Sequence, residues 1–185
     1  MGSVRIPPSV PDPVLVHRLR GGDMDALGML YERHGAAVRS VCLRLAPEKG
    51  PEFADDTAQA VFLTFLDTLG RYEERGQLRS WLFGIAARHC RSARRRWWNR
   101  MRLHRESGAV SAGVAMPGPS AHARLSARQR VVQALQGLPD AQREVLVLHV
   151  LEGMAVSEVA DALAISENSV STRLYRARKA MEKTA

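Results

Sequence analysis

The sequence predicts an all-α protein, two small helical domains joined by a flexible linker. Apolar residues recur at helical spacing along most of the chain, and no segment shows sustained strand alternation. Residues 106–121 (ESGAVSAGVAMPGPSA) are small, nearly uncharged and without apolar periodicity, which is linker composition. The chain has 185 residues, 45% of them hydrophobic and 25% charged, the balance of an ordinary soluble globular protein. That length suits one domain or two small ones, at roughly 100–200 residues per domain.

Residues 1–13 carry Pro7, Pro8, Pro11 and Pro13 and read as a flexible tail. Helical periodicity starts near Val14 and breaks at Gly21-Gly22. Asp23 is the expected N-cap of the next helix, Met24 to Leu45, with Leu27, Leu30, Tyr31, Val38, Val41 and Leu45 on one stripe. Pro47 to Pro51 reads as a turn. A third helix, Glu52 to Leu69, places Phe53, Ala58, Val61, Phe62, Phe65 and Leu69 on an apolar face. A polar loop, Gly70 to Gln77, leads to a fourth helix, Leu78 to Trp97, which begins apolar and becomes basic. After the linker, helices are expected over 124–136, 140–152, 156–163 and 167–182. The domain bounds that follow are a tail over 1–13, a first domain over 14–100, a linker over 101–123 and a second domain over 124–185.

The net charge is 27 − 19 = +8, and its location matters more than its size. Eight arginines lie between Arg88 and Arg105, and no acidic residue interrupts the stretch from Arg75 to Arg105. Guanidinium groups at this density favour polyanions, because they pair with phosphate and release counterions. Trp81, Trp97 and Trp98 lie in or beside this cluster, and aromatic faces among arginines suit stacking on unpaired bases. A second group, Arg173, Arg176, Arg178, Lys179 and Lys183, follows near the C-terminus.

The most specific local pattern is Val156–Arg173, which reads as a helix-turn-helix. Val156, Val159, Ala160 and Leu163 face inward on a short helix. Ala164-Ile165 is the turn, Ser166 an N-cap, and Val170 and Leu174 anchor a second helix. Asn168, Ser169, Ser171, Thr172, Arg173, Tyr175, Arg176 and Lys179 then point outward, with short hydrogen-bonding side chains ahead of the cations. A recognition helix uses its leading residues on base edges and its flanks on phosphates. Ala164 stands where glycine is usual.

Several function classes are excluded. No apolar run approaches the 18–20 or so residues needed to span a bilayer, and no secretory signal is present. Cys42 and Cys90 cannot form a disulfide framework or a four-ligand zinc site, and the expected compartment is the reducing cytoplasm. The adjacent His89 and Cys90, like Asp55 and Asp56, diverge by about 100° on a helix and cannot converge on a substrate or metal. Cys42 reads as a buried small hydrophobe and His34 as a surface residue. No catalytic residue, metal site or cofactor is expected.

Three stretches, in order, resemble the extracytoplasmic-function sigma factors of the bacterial sigma-70 family. Asp55-Asp56-Thr57-Ala58-Gln59-Ala60-Val61-Phe62-Leu63 resembles the helix that grips the clamp of core RNA polymerase. Leu78-Arg79-Ser80-Trp81-Leu82-Phe83-Gly84-Ile85-Ala86-Ala87-Arg88 resembles the start of the promoter-melting helix. Leu138-Pro139-Asp140-Ala141-Gln142-Arg143-Glu144-Val145-Leu146, continued through Tyr175-Arg176-Ala177-Arg178-Lys179, resembles the family's fourth region. The resemblance covers residues 14–182. It implies a region 2 bundle and a region 4 helix-turn-helix, no enzymatic activity, and promoter DNA and core RNA polymerase (clamp and flap) as partners.

By that resemblance, the loop Tyr72 to Gln77, with Tyr72, Arg75 and Gln77, would cradle a flipped base of the −10 element. Arg79, Trp81, Arg88, His89, Ser92 and Arg95 would line the opened strand. Asn168, Ser169, Ser171, Thr172, Arg173 and Arg176 would contact the −35 element. Asp55, Asp56, Gln59 and Phe62 fall on the polymerase-binding helix, Phe62 more as core than as contact. The protein is expected to be a monomer when free and to be held by an anti-sigma factor clamping its two domains together. Ala60 stands where many members carry Glu, and His89 and Ala93 replace Asn and Asp. Glu106 is the one acidic residue between Arg75 and Leu138, which argues against an acidic, RNA-mimicking linker. Two other classes remain open at this point: a dimeric helix-turn-helix regulator, and a sigma-like adaptor that does not read DNA.

Overall fold

The computed structural model describes residues 10–73, 77–106 and 127–182, with the backbone alone at 98, 101–106 and 127–130. The expected tail over 1–9, Arg75 and most of the linker lie outside the described residues. Among those described there are helices and no strands. No helix among them is long and apolar enough to cross a membrane.

Helix α1 (Asp12–Arg20) begins two residues before the expected Val14, because Pro13 fits a first helical turn, where no intrahelical N–H bond is required. Asp12 accepts from Arg33 and from His34 Nε2 (2.8 Å), which ties α1 to α2 (Met24–Leu45). His34 is therefore mostly covered, its side chain 14% exposed, and is not the surface residue expected. Gly22 (φ 89°) makes the turn between the helices, and Asp23 caps α2 by accepting from Asp25 N at 3.1 Å. The expected turn over Pro47–Pro51 is one 3₁₀ turn, Pro47–Lys49. Then α3 (Gly50–Asp67) starts with Pro51 in its first turn.

Helix α4 (Leu78–Glu106) runs 29 residues, well past the expected end at Trp97. Arginines are good helix formers and no Gly or Pro lies between Trp97 and Glu106, so nothing stops it there. Its first turns bury Leu78, Leu82, Phe83, Ile85, Ala86, Ala87 and Cys90, apolar on nearly every side. A helix of this kind needs neighbours all round. It has α2 and α3 on one side and α7 on another.

The remaining helices are α5 (Ala127–Gly137), α6 (Asp140–Leu146), α7 (Val156–Leu163) and α8 (Glu167–Glu182). A π turn, Val147–Leu151, continues α6, where a regular helix to 152 was expected. The two expected helical domains do not stand apart. Buried residues of both form one continuous core. A Cβ on Gly84 of α4 would lie 2.6 Å from the backbone oxygen of Ala162 on α7, so only glycine permits this approach. Cys42 and Cys90 are both buried in the core. A hydrogen bond with Cys42, together with burial, holds the Cys90 thiol well above its ordinary range and neutral.

The most demanding buried group is Arg143, 1% exposed. Its guanidinium donates to the carbonyls of Leu135 (2.6 Å), Gln136 (3.1 Å) and Leu138 (2.8 Å) at the end of α5, and of Leu45 (3.1 Å) at the end of α2. Four carbonyls around two helix C-termini thus share one cation, which the helix dipoles favour. Replacing Arg143 by Ala leaves these buried acceptors unsatisfied. The expected loss is on the order of 3 kcal/mol in urea denaturation, with Tm lower by roughly 2–4 °C per kcal/mol.

Candidate nucleic-acid interface

The helix-turn-helix forms where the sequence places it. Val159, Ala160 and Leu163 of α7 and Val170, Leu174 and Ala177 of α8 are buried between the helices. Ala164 closes α7 in the left-handed region (φ 54°, ψ 51°), and Ile165 N donates to Ala160 O at 3.0 Å. Ser166 caps α8, its Oγ accepting from Ser169 N at 3.2 Å. Asn168, Ser171, Thr172, Tyr175 and Arg176 are exposed along one side of α8. Ser169 is half-buried by its role in the cap. Arg173 is half-buried too, in a recess shared with Arg91, Arg95 and Asn99 of α4.

The second basic surface is α4 with the segment before it. Tyr72 is buried, its ring edge-on to Phe65 (5.7 Å between centroids) and Trp81 (5.6 Å). Its ring thus forms a floor between Phe65 and Trp81. Gln77 is exposed, and Trp81 is half-buried with Nε1 lacking a hydrogen-bond partner among the described residues. These residues, with Arg71, Ser80 and Arg88, line a recess of about 300 Å³. Glu158, Asp161 and Ala162 of α7 line its other side. Arg79 lies over the Phe83 ring (5.0 Å) and pairs with Glu152 (2.8 Å). Arg88 and Arg95 are exposed, and Ser92 is half-buried.

His89 points inward, its Nε2 2.9 Å from Thr64 Oγ1 on α3. Burial first, then the neighbouring charges of Arg88 and Arg96, lower its pKa from the ordinary 6.5. It is therefore a packing residue held neutral.

On α3, Asp56 and Gln59 are exposed and Phe62 is buried, its ring edge-on to Tyr31 at 5.0 Å. Asp55 is taken up by Arg39, whose hydrogen bonds hold its carboxyl below the usual range. Leu63 was missed from sequence. It is 61% exposed and lies on the face of Asp56 and Gln59. Its signal was the period itself, since it falls seven residues after Asp56.

The other residues missed from sequence are the carboxylates that meet α4. Glu152 pairs with both Arg44 and Arg79, Glu144 with Arg91 (Nε, 2.8 Å), and Asp140 with Arg94 (2.8 Å). Glu158 accepts from Ser80 Oγ at 3.2 Å and from Ala155 N at 2.8 Å. Among the described residues, no group of His, Cys, Asp and Glu could hold a metal ion.

Comparison with known proteins matches residues 30–100 to the family described as Sigma-70 region 2, and residues 128–181 to that described as Sigma-70, region 4. The chain is 31% identical to the RNA polymerase sigma factor CarQ of Myxococcus xanthus, over 87% of this chain and 90% of that protein. It is 32% identical to the RNA polymerase sigma factor NccH of Alcaligenes xylosoxydans xylosoxydans, over 92% of each. Among solved structures, CnrH in complex with the cytosolic domain of CnrY matches with a TM-score of 0.66 and 27% identity, over 93% of this chain and 95% of that one.

Two outcomes are expected from this geometry. Ala164→Gly relieves a left-handed alanine and stabilises the helix-turn-helix by roughly 1 kcal/mol, read as a raised Tm. Neutral His89 resists the proton that the unfolded chain accepts, so stability falls as pH drops through the ordinary value of 6.5. His89→Gln removes that contribution. Urea denaturation between about pH 7.5 and about pH 5.5 is expected to show a smaller loss for the variant than for the native chain, and equal losses count against the assignment.

Proposed function

The chain belongs to the sigma-70 family, as an extracytoplasmic-function RNA polymerase sigma factor directing transcription initiation, and from that premise we propose how its surfaces divide the work. Sigma factors are initiation factors and not enzymes, so the tasks are to hold polymerase, read duplex and trap opened strand. Residues 14–100 act as the polymerase-binding and −10 domain, 101–123 as the linker and 124–185 as the −35 domain.

The α8 face enters the major groove of the −35 element. Asn168, Ser171 and Thr172 reach base edges, while Arg173 and Arg176 meet flanking phosphates. Arg88 and Arg95 of α4 track the backbone of the opened −10 strand, with Arg79 once it is free of Glu152. A base turned out of that strand enters the recess beside Gln77 and Trp81. Tyr72 supports this recess from below, and His89 and Ser92 set the shape of α4 beneath the strand. Arg75 belongs to the same loop by sequence.

Asp56, Gln59 and the exposed Leu63 contact the polymerase clamp, and Asp55 acts from its pair with Arg39. The second domain meets the flap. The chain works in the cytoplasm as a monomer when free. An anti-sigma factor is its regulator, a reading supported by the CnrH likeness, since that protein was solved with CnrY.

The observation that carries this reading is the exposure of Asn168, Ser171 and Thr172 together on the first turns of α8, with Arg176 behind them. Transcription in vitro with core polymerase on a genomic promoter library tests it. The native chain is expected to give a small set of specific transcripts. At about 1–3 kcal/mol per base contact, Asn168→Ala with Thr172→Ala lowers initiation at those promoters by on the order of tenfold or more. Unchanged promoter choice in this variant overturns the −35 assignment.

A further inference from the structure

We propose that Arg20, the last residue of α1, is a positioning residue for the −10 recess: it holds one wall of that recess from outside and so presets it for the turned-out base. The inference rests on the reading of the recess beside Gln77 and Trp81 as the base-binding site.

Arg20 does not itself line the recess. Its Nη2 donates to the backbone oxygen of Tyr72, 52 residues further along the chain. Arg71, Tyr72 and Glu73 form one wall of the recess, so this bond reaches the wall through its backbone. The wall needs support because it belongs to no long element. A single 3₁₀ turn, Leu69–Arg71, ends at Tyr72, where the backbone becomes extended (φ −76°, ψ 120°). The turn is held by Arg71 N on Thr68 O (2.9 Å) and by a longer bond, Tyr72 N on Leu69 O (3.3 Å). Phe65 and Trp81 fix the Tyr72 ring. The bond from Arg20 to the oxygen fixes the plane of the peptide that follows, which ring contacts do not set.

Arg20 can act as a strut because α1 is firmly seated. Leu15, Val16 and Leu19 are 0–3% exposed. At the start of α1, Asp12 is bonded to Arg33 and His34 of α2, and near its end Arg18 donates to Asp23 at 2.8 Å. The cation suits its place. At the C-terminus of a helix it faces the negative end of the dipole. A charged donor also bonds a carbonyl more strongly than a neutral one.

Capture of a base is easier for a wall already in place, since no ordering has to accompany it. A supporting group has to keep such a site within about 0.5 Å of its working shape. Arg20 therefore acts on initiation through the −10 element, without touching DNA.

The test compares three variants of the full chain with the native one. Transcription with core polymerase is run on the strongest promoter of the genomic library, and hydrogen exchange is followed on the free protein. Arg20→Met keeps the aliphatic stem and removes the donors. Arg20→Lys keeps a cationic donor, and the single bond to Tyr72 requires only one. Gln77→Trp fills the mouth of the recess and reads the recess independently. Arg20→Met is expected to speed exchange of the Arg71 and Tyr72 amides about tenfold. It is also expected to lower initiation by at least about tenfold, with Arg20→Lys within about twofold of the native chain in both measurements. The slope of log promoter affinity against log salt stays that of the native chain, because no phosphate contact is lost. Gln77→Trp is expected to lose initiation.

Initiation by Arg20→Met within about twofold of the native chain overturns the positioning role, and so does unchanged exchange at Arg71 and Tyr72. A salt slope smaller by about one makes Arg20 a phosphate contact and overturns it too. Arg20→Lys as poor as Arg20→Met does the same. If circular dichroism shows that Arg20→Met has lost its helices, Arg20→Ala takes its place. Loss in Gln77→Trp beside normal initiation by Arg20→Met condemns the positioning role alone. Normal initiation by Gln77→Trp condemns the recess reading, and the positioning role with it.

Discussion

One buried cation holds the two ends of this chain together. Arg143 enters the core without a buried carboxylate to meet it; the nearest, Asp140, is 3.7 Å away and partly exposed. It is stabilised by carbonyls instead, at the C-termini of α2 and α5. Burying a guanidinium this deeply is unfavourable unless nearly every donor is satisfied. The positions of α5, α6 and the end of α2 are therefore specified together. Because α6 leads through its π turn to α7, the same constraint sets where the helix-turn-helix sits against the N-terminal domain.

The opposite side of the junction is governed by shape. The run Leu82-Phe83-Gly84-Ile85-Ala86-Ala87 gives α4 an apolar surface nearly all round, with a gap at Gly84. Two faces are filled by α2 and α3, and α7 takes the face with the gap. Dispersion and water exclusion act over that contact, and the ion pairs around it are partly exposed on the arginine side. Pairs of this kind contribute modestly and fix orientation more than stability. The ion pairs thus set the orientation of a contact whose strength comes from the shared apolar core.

Much of this was legible in the sequence because it depends on local chemistry. The spacing of Val159, Leu163, Val170 and Leu174 defines α7 and α8, and Ser166 marks the cap between them. Asp23 marks the start of α2 in the same way. What was not legible depends on partners far apart in the chain. Nothing near His34 announces Asp12, and nothing near Tyr72 announces that Phe65 and Trp81 enclose it. The carboxylates Glu144 and Glu152 read as ordinary solvated charge until α4 is placed beside them. One signal was available and unused: a helix apolar on all sides, with glycine at its centre, implies another helix crossing there.

The double engagement of Glu152 has a consequence for counterions. Arginines already neutralised by carboxylate carry few condensed ions, so transferring them to a phosphate chain is an exchange of one anion for another. The entropy of nucleic-acid binding then comes mainly from cations leaving the DNA, while the freed carboxylates gather cations of their own. Ionic strength thus loosens the internal pairs and the external ones together. At +8 the chain stays strongly basic, and only the arginines held in these pairs are withheld from other anions while the pairs last.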